Sequence, residues 1–251
     1  MEGRASPPWL KPGVPARATD GTTFYGWQKN HLQSIEKTLQ DALALLLQHS
    51  PTLQAASRTD KGVHAYGQVV NFITYNPLAL EKILSRLNSL LPKSIIVRHI
   101  DQKPLSFHPT LDTQYKTYYY QLATQTILLP WDKPYSWHFP YALDLKIMTQ
   151  AANELVSKQN FSSFSSKKYK NAQCDLTKLS IIDLDNGKIR IEIKANRFLY
   201  KMARNIAGLL TYIGAHKIPK SVIKETLQNP IAGRLNYCAP AHGLMLQEVH
   251  Y

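Results

Sequence analysis

The run Ser57-Arg58-Thr59-Asp60-Lys61-Gly62-Val63-His64-Ala65-Tyr66-Gly67-Gln68-Val69-Val70 gathers a carboxylate, two cations and two glycines just ahead of a strand-like segment. Gly62 and Gly67 permit backbone angles closed to other residues, so Asp60 sits where the chain can bend sharply. Arg58, two positions away, is a candidate electrostatic partner for it. This arrangement reads as an active-site loop. An isolated Arg-Thr-Asp triplet is more often a solvated surface turn.

The elements that must position this loop follow from spacing. Ser34 is placed to cap a helix whose apolar residues Ile35, Leu39, Ala42, Leu43 and Leu46 recur at helical intervals, and a strand is expected from about Gln68 to Thr74. Leu80, Ile83, Leu84, Leu87 and Leu91 predict a second helix stopped by Pro92, and Ser94–Ile100 reads as a strand. The polar, proline-containing Asp101–Leu105 is the expected crossing between domains. Beyond it, Tyr115–Leu122 reads as a strand, with alternation setting Lys116, Tyr118 and Tyr120 on one face. Asp144 is placed to cap a helix to about Val156, and Lys188–Lys194 alternates with Ile189, Ile191 and Ile193 inward. Leu199–Ile213 predicts a helix closed by Gly214, with Arg197, Lys201, Arg204 and Gly208 on the face away from the apolar stripe. Residues 1–19 hold four prolines and no apolar period, so they predict an irregular arm. The expected division is therefore 1–19 as arm, 20–105 as an N-terminal α+β domain with the Asp60 loop, and 106–251 as a C-terminal α+β domain.

At 251 residues and 44% hydrophobic composition the chain is long and apolar enough for one large or two moderate cores. No apolar run approaches the ~20 residues that cross a bilayer, and residues 1–19 lack the order of a signal peptide, so a cytoplasmic location is expected. Cys174 and Cys238 have no metal-ligand spacing and suggest inert thiols, with no metal site. Thirty Lys and Arg against seventeen Asp and Glu give a net charge of +13, which would attract a polyanion. Nucleic acid is the leading partner. No basic amphipathic helix with bulky aromatics favours a membrane.

Arg58-Thr59-Asp60-x-Gly62-Val63-His64 followed by Gly67-Gln68-Val69-Val70 resembles the catalytic motif of the tRNA pseudouridine synthase A family (TruA). The resemblance continues in family order through Asp20-Gly21-Thr22, Tyr25-Gly26-Trp27-Gln28, Leu87-Asn88-Ser89-Leu90-Leu91-Pro92, Phe107-His108, Tyr118-x-Tyr120, Phe161-Ser162-Ser163-Phe164, Asn196-x-Phe198-Leu199-x-x-Met202-x-Arg204-Asn205 and Ala239-Pro240-x-x-Gly243-Leu244. It implies the pseudouridine synthase fold: two related α+β halves sharing a mainly antiparallel sheet, helices outside, and a basic active-site cleft between them. The implied activity is isomerisation of uridine to pseudouridine at positions 38, 39 and 40 of the tRNA anticodon stem-loop, by a homodimer, without metal or organic cofactor.

The same resemblance implies roles for single residues. Asp60 becomes the catalytic carboxylate, and Arg204 the cation that reaches it and favours its ionised form. Resemblance, not periodicity, selects Tyr118 over Tyr120 as an aromatic that stacks on the base or moves a proton. Arg58 and His64 lie in the motif and are expected to contact substrate, Arg58 by bracing the displaced backbone or filling the gap left by an extruded uridine. Lys116 stands where relatives commonly carry Arg, which keeps a phosphate-seeking charge without the bidentate fork. Lys167, Lys168 and Lys170 form an expected RNA-facing loop. Ser57 in place of a Gly, Lys61 in place of a small residue, Gln159-Asn160 in place of His-Asp, and Ala203 in place of Val depart from the family pattern. A catalytically weak paralogue that binds or chaperones tRNA is the alternative reading. A phosphatase-like loop around Asp20-Gly21-Thr22 fails, because Ala18 occupies the position its nucleophile needs.

Overall fold

The computed structural model describes residues 11–235 and 237–251. The part of the expected arm at 1–10 lies outside the described residues. Two compact units emerge, one running to Thr113 and including Tyr251, the other spanning Gln114–His250. The break falls later than the Asp101–Leu105 crossing because that stretch overlaps strand β4 (Ile95–Gln102) and the chain beyond it folds back onto the first unit. Asn71 Nδ2 donates to the Phe107 carbonyl at 3.1 Å, Thr110 Oγ1 to the Ala55 carbonyl at 2.8 Å, and the Tyr251 hydroxyl to the Pro109 carbonyl at 2.9 Å.

The first unit is an antiparallel sheet in the order β4–β1–β3, with β1 at Lys11–Thr19, β3 at His64–Thr74, and the short β2 (Gln54–Ala55) on β3. Lys11–Thr19 is thus a strand where an irregular arm was expected. Its prolines are accommodated because Pro12 is matched with Ile73 of β3 and Pro15 with Ile100 of β4, and both ladders shift register further along the strand. Helix α1 (Ile35–Leu47) begins at Ser34, whose Oγ accepts from Lys37 N at 3.3 Å. Helix α2 (Leu80–Leu90) is tied to β4 by Asn88, which accepts from Val97 N and donates to Val97 O, both at 2.8 Å. Leu39, Leu43, Ile83 and Leu87 from the helices pack with Val70, Phe72, Ile95 and Val97 from the strands into one core, which also holds Phe24 and Trp27.

The second unit is a sheet in the order β10–β5–β9–β8–β7, at Leu244–His250, Tyr115–Ala123, Lys188–Ala195, Gln173–Asp183 and Lys158–Asn160. All of these pairings are antiparallel, and the two-residue β6 (Trp137–His138) adds to β5 in parallel. Each unit is therefore α+β, the class expected. In β9 the alternation is strict, with Ile189, Ile191 and Ile193 buried. Helix α3 (Leu145–Leu155) starts at Asp144, which caps Ile147 N at 3.0 Å, and α5 spans Val222–Gln228.

Helix α4 departs from its expected form twice. It runs Met202–Gly214, because Lys201 takes a left-handed conformation (φ 62) and Met202 N turns back to Leu199 O. Arg197 and Lys201 therefore do not share a helical face with Arg204. Nor is there an exposed face at Gly208, since a Cβ there would lie 1.6 Å from the Tyr237 carbonyl oxygen. Gly214 does not serve as a left-handed cap: a Cβ on it would meet the Met148 side chain at 2.5 Å, so its role is close approach of α3.

Candidate active site

The Asp60 loop hangs from β3. Buried Gln68 grips Ser57 at both ends of its amide, accepting from Ser57 N at 3.2 Å and donating to Ser57 O at 2.7 Å, while Ala56 N donates to Val69 O at 2.8 Å. Trp27 N donates to Thr59 O at 3.0 Å. Val63 N donates to Asp60 O at 3.1 Å and closes a turn with Gly62 (φ 77) third, the type II pattern that requires glycine there. Gly26 (φ 85) admits the close approach of the Tyr25-Gly26-Trp27 turn, since a Cβ on it would lie 2.8 Å from Thr59 O. Asp60 is thus half-buried on a loop fixed on both sides, with Arg58 and Lys61 exposed beside it.

One expectation changes here. Arg58 Nη1 makes a long contact with Gln28 Oε1 at 3.5 Å, and no ion pair joins it to Asp60 among the described residues. Pinning Thr59 to Trp27 sets Arg58 beside the next residue, Gln28. His64 is 4% exposed, its Nδ1 accepts from Gly21 N at 3.1 Å, and the same nitrogen lies 3.3 Å from Asp20 Oδ1. His64 is placed to brace the Asp20–Thr22 turn, where Thr22 N and Oγ1 donate to Asp20 Oδ1 at 3.0 and 2.6 Å. Gly21 is required for that brace, as a Cβ would meet Val63 O at 2.2 Å.

In the second unit β5 sets Lys116, Tyr118 and Tyr120 on one buried face. Tyr118 is 5% exposed and meets Phe198 edge-on, ring centroids 4.8 Å apart. Tyr120 donates to Pro240 O at 2.9 Å, and burial drives its hydroxyl well above the ordinary tyrosine range against a lowering by Arg204. Arg204 Nε donates to Ala239 O at 2.8 Å, and Ala239 N returns a bond to Arg204 O at 3.1 Å. This reciprocal pair fixes the guanidinium plane. Lys116 is held down to about 8, by burial first and by the Arg197 guanidinium second.

Lys167, Lys168 and Lys170 are exposed as expected. Lys167 Nζ lies 4.5 Å from the Tyr200 ring centroid, Lys201 Nζ lies 5.3 Å from the same ring, and Tyr200 N donates to Tyr169 Oη at 3.1 Å. The loop is thereby joined to the turn before α4 into a basic surface interleaved with aromatics, a composition suited to nucleic acid. Cys174 is buried and pushed up to about 11, mainly by burial, as an inert thiol would be.

The family profile described as tRNA pseudouridine synthase matches residues 16–112 and 151–251. The chain belongs to this family. It is 45% identical over 240 residues to tRNA pseudouridine synthase A 2 of Protochlamydia amoebophila (strain UWE25), covering 93% of this chain and 92% of that protein. It is 34% identical to tRNA pseudouridine synthase A of Thermoanaerobacter sp. (strain X514), covering 92% and 96%, and 34% identical to tRNA pseudouridine synthase A of Chlamydia felis (strain Fe/C-56), covering 93% and 89%.

Within this pseudouridine synthase chain the matched segments contain Asp60 and Arg204, whereas Lys116 and Tyr118 fall between them. Asp60, Arg58 and His64 belong to the first unit; Lys116, Tyr118, Arg204 and the lysine loop belong to the second. Gln68, Trp27, Asn205 and Ser163 each stand in a family-like motif and have structural roles that their residue types alone do not announce. Asn205 Nδ2 donates to Phe164 O at 2.7 Å, and Ser163 Oγ accepts from Ile231 N at 2.9 Å, so these motif residues hold backbone. A short polar residue inside an otherwise apolar motif was the signal available.

Proposed function

We propose that this protein isomerises uridine to pseudouridine in tRNA, at positions 38, 39 and 40 of the anticodon stem-loop, working as a cytoplasmic homodimer without metal or organic cofactor. The observation that supports it most is the Asp60 loop, clamped by Gln68 and Trp27 in a chain of this family. Among the described residues no helix is long and apolar enough to cross a membrane.

The reaction breaks the C1′–N1 bond, turns the base and joins C1′ to C5; the C5 proton leaves and N1 regains one, so no redox partner is required. Asp60 supplies the carboxylate that attacks or stabilises the reacting centre. Arg204, oriented by Ala239, supplies a fixed positive charge. Tyr118 serves through its hydroxyl in proton management, its ring held in a T-shaped pair with Phe198. Arg58 braces the extruded nucleotide, and Lys116 with Lys167, Lys168 and Lys170 holds phosphates. Preorganisation favours turnover, because a loop already fixed needs no reordering at the moment of reaction.

Mapping pseudouridine in a tRNA pool before and after incubation with purified protein tests the reading. New pseudouridine at 38–40 is the expected result. Tight binding with no new pseudouridine anywhere would favour the tRNA-binding paralogue instead.

A further inference from the structure

Two cations in the second unit stand without a protein counter-charge. Lys116 is 9% exposed, yet among the described residues neither its ammonium nor the Arg197 guanidinium takes part in a hydrogen bond or ion pair. The ammonium is not sealed in, because the fully buried polar side-chain atoms lacking partners are Asn205 Oδ1 and Thr226 Oγ1. The stem is buried and the charged tip reaches solvent.

The arrangement is built from β5 and the end of β9. Lys116 is matched with Ala195 in the β5–β9 ladder, and Arg197 follows two residues later. Asn196 between them is locked to β8, accepting from Asp175 N at 2.8 Å and donating to Asp175 O at 3.1 Å. Phe198 on the other side is held by Tyr118. Glu192 of β9 pairs with Lys178 at 3.0 Å, Glu248 of β10 approaches His250 at 3.6 Å, and the Asp175 carboxylate enters no ion pair with either cation among the described residues. Two like charges, one mostly buried, repel each other and are costly to desolvate. Such a pair is accounted for by an anion that joins it on binding.

We propose that Lys116 and Arg197 form a single anion site that grips a phosphodiester of the RNA backbone, an inference resting on the tRNA-modifying reading above. Arg197 supplies the planar donors that Lys116 lacks, so the two together make a clamp that a lone lysine cannot.

The test is tRNA-transcript affinity across a salt series for wild type, Lys116→Met, Lys116→Arg, Arg197→Gln and the Lys116→Met/Arg197→Gln double variant. Each charge removed should flatten the slope of log affinity against log salt by ~0.7–0.9 and weaken binding at low salt, while Lys116→Arg keeps the wild-type slope. Unchanged slopes in Lys116→Met and Arg197→Gln would overturn the site. So would a Lys116→Arg variant as weak as Lys116→Met, which would assign the effect to stem packing. Inorganic phosphate alone, bound by wild type but by neither variant while their tRNA slopes stay put, would overturn the RNA assignment in favour of a free anion. Pseudouridine formation by wild type in the same tubes reports on the functional reading separately: no product, with slopes that still flatten, sinks that reading and supports the phosphate site.

Discussion

Gln68 holds both backbone polar groups of Ser57, with its amide nitrogen 2.7 Å from the carbonyl and its amide oxygen 3.2 Å from the N–H. The strand after the active loop thereby fixes the residue three before Asp60. Replacing the amide with an apolar side chain of similar size, Gln68→Leu, leaves two backbone groups unpaired at ~1–3 kcal/mol each. We expect a lower unfolding midpoint in urea and slower turnover, with tRNA affinity little changed. Wild-type turnover at reduced stability would show that the clamp serves folding alone.

Asp60→Asn keeps the size of the side chain and its place in the turn. It should abolish pseudouridine formation while leaving tRNA affinity within a few-fold, because phosphates are assigned to Lys and Arg side chains. Full activity in the purified variant would remove Asp60 from the chemistry.

For Tyr118, phenylalanine keeps the ring that meets Phe198 and deletes only the hydroxyl. Tyr118→Phe should bind tRNA normally and turn over ~10²–10⁴-fold more slowly, the usual loss of a general acid–base group. Single-turnover rates decide it, and a Phe variant as fast as wild type would confine the residue to packing or stacking. Tyr118→Leu should in addition lose the aromatic pairing and melt earlier.

The exposed lysines are tested together. Changing Lys167, Lys168 and Lys170 to Ala should reduce the salt dependence of tRNA binding, by ~0.7–0.9 in slope for each RNA phosphate left unneutralised. Identical slopes in variant and wild type would exclude the loop from the phosphate-binding surface.

Lys116 makes a prediction about stability. Its ammonium titrates at about 8 in the folded chain against an ordinary value of 10.5, so between those values the unfolded chain binds more protons and stability rises with pH. Below about 8 both states are charged and the folded state bears the full penalty, on the order of 3 kcal/mol as an upper bound. Lys116→Met should therefore be more stable than wild type at pH 7, and the gap should close as pH rises toward 10.5. Urea unfolding at four pH values measures it; a constant gap would mean that Lys116 is not the titrating group.

Local sequence was enough for elements whose signals are local. Ser34 and Asp144 announce α1 and α3, and the isoleucines of β9 fix its inward face, because caps and periodicity act over a few residues. The motif around Asp60 likewise identified the loop, since its turn requires glycine at position 62.

Tertiary structure decided the rest. Strand β1 forms despite two prolines because β3 and β4 flank it, and β8 and β10 carry no strong alternation of their own. Gly208 and Gly214 read as helix-face and helix-end residues, yet both are set by what lies against them, Tyr237 and Met148. Arg58 turned to Gln28 and His64 met the Gly21 N–H because bonds distant in sequence set their neighbours. The Lys116–Arg197 pair is the extreme case: 81 positions apart (197 − 116), they are brought together by the register of β5 on β9, a non-local choice that leaves no mark at either residue.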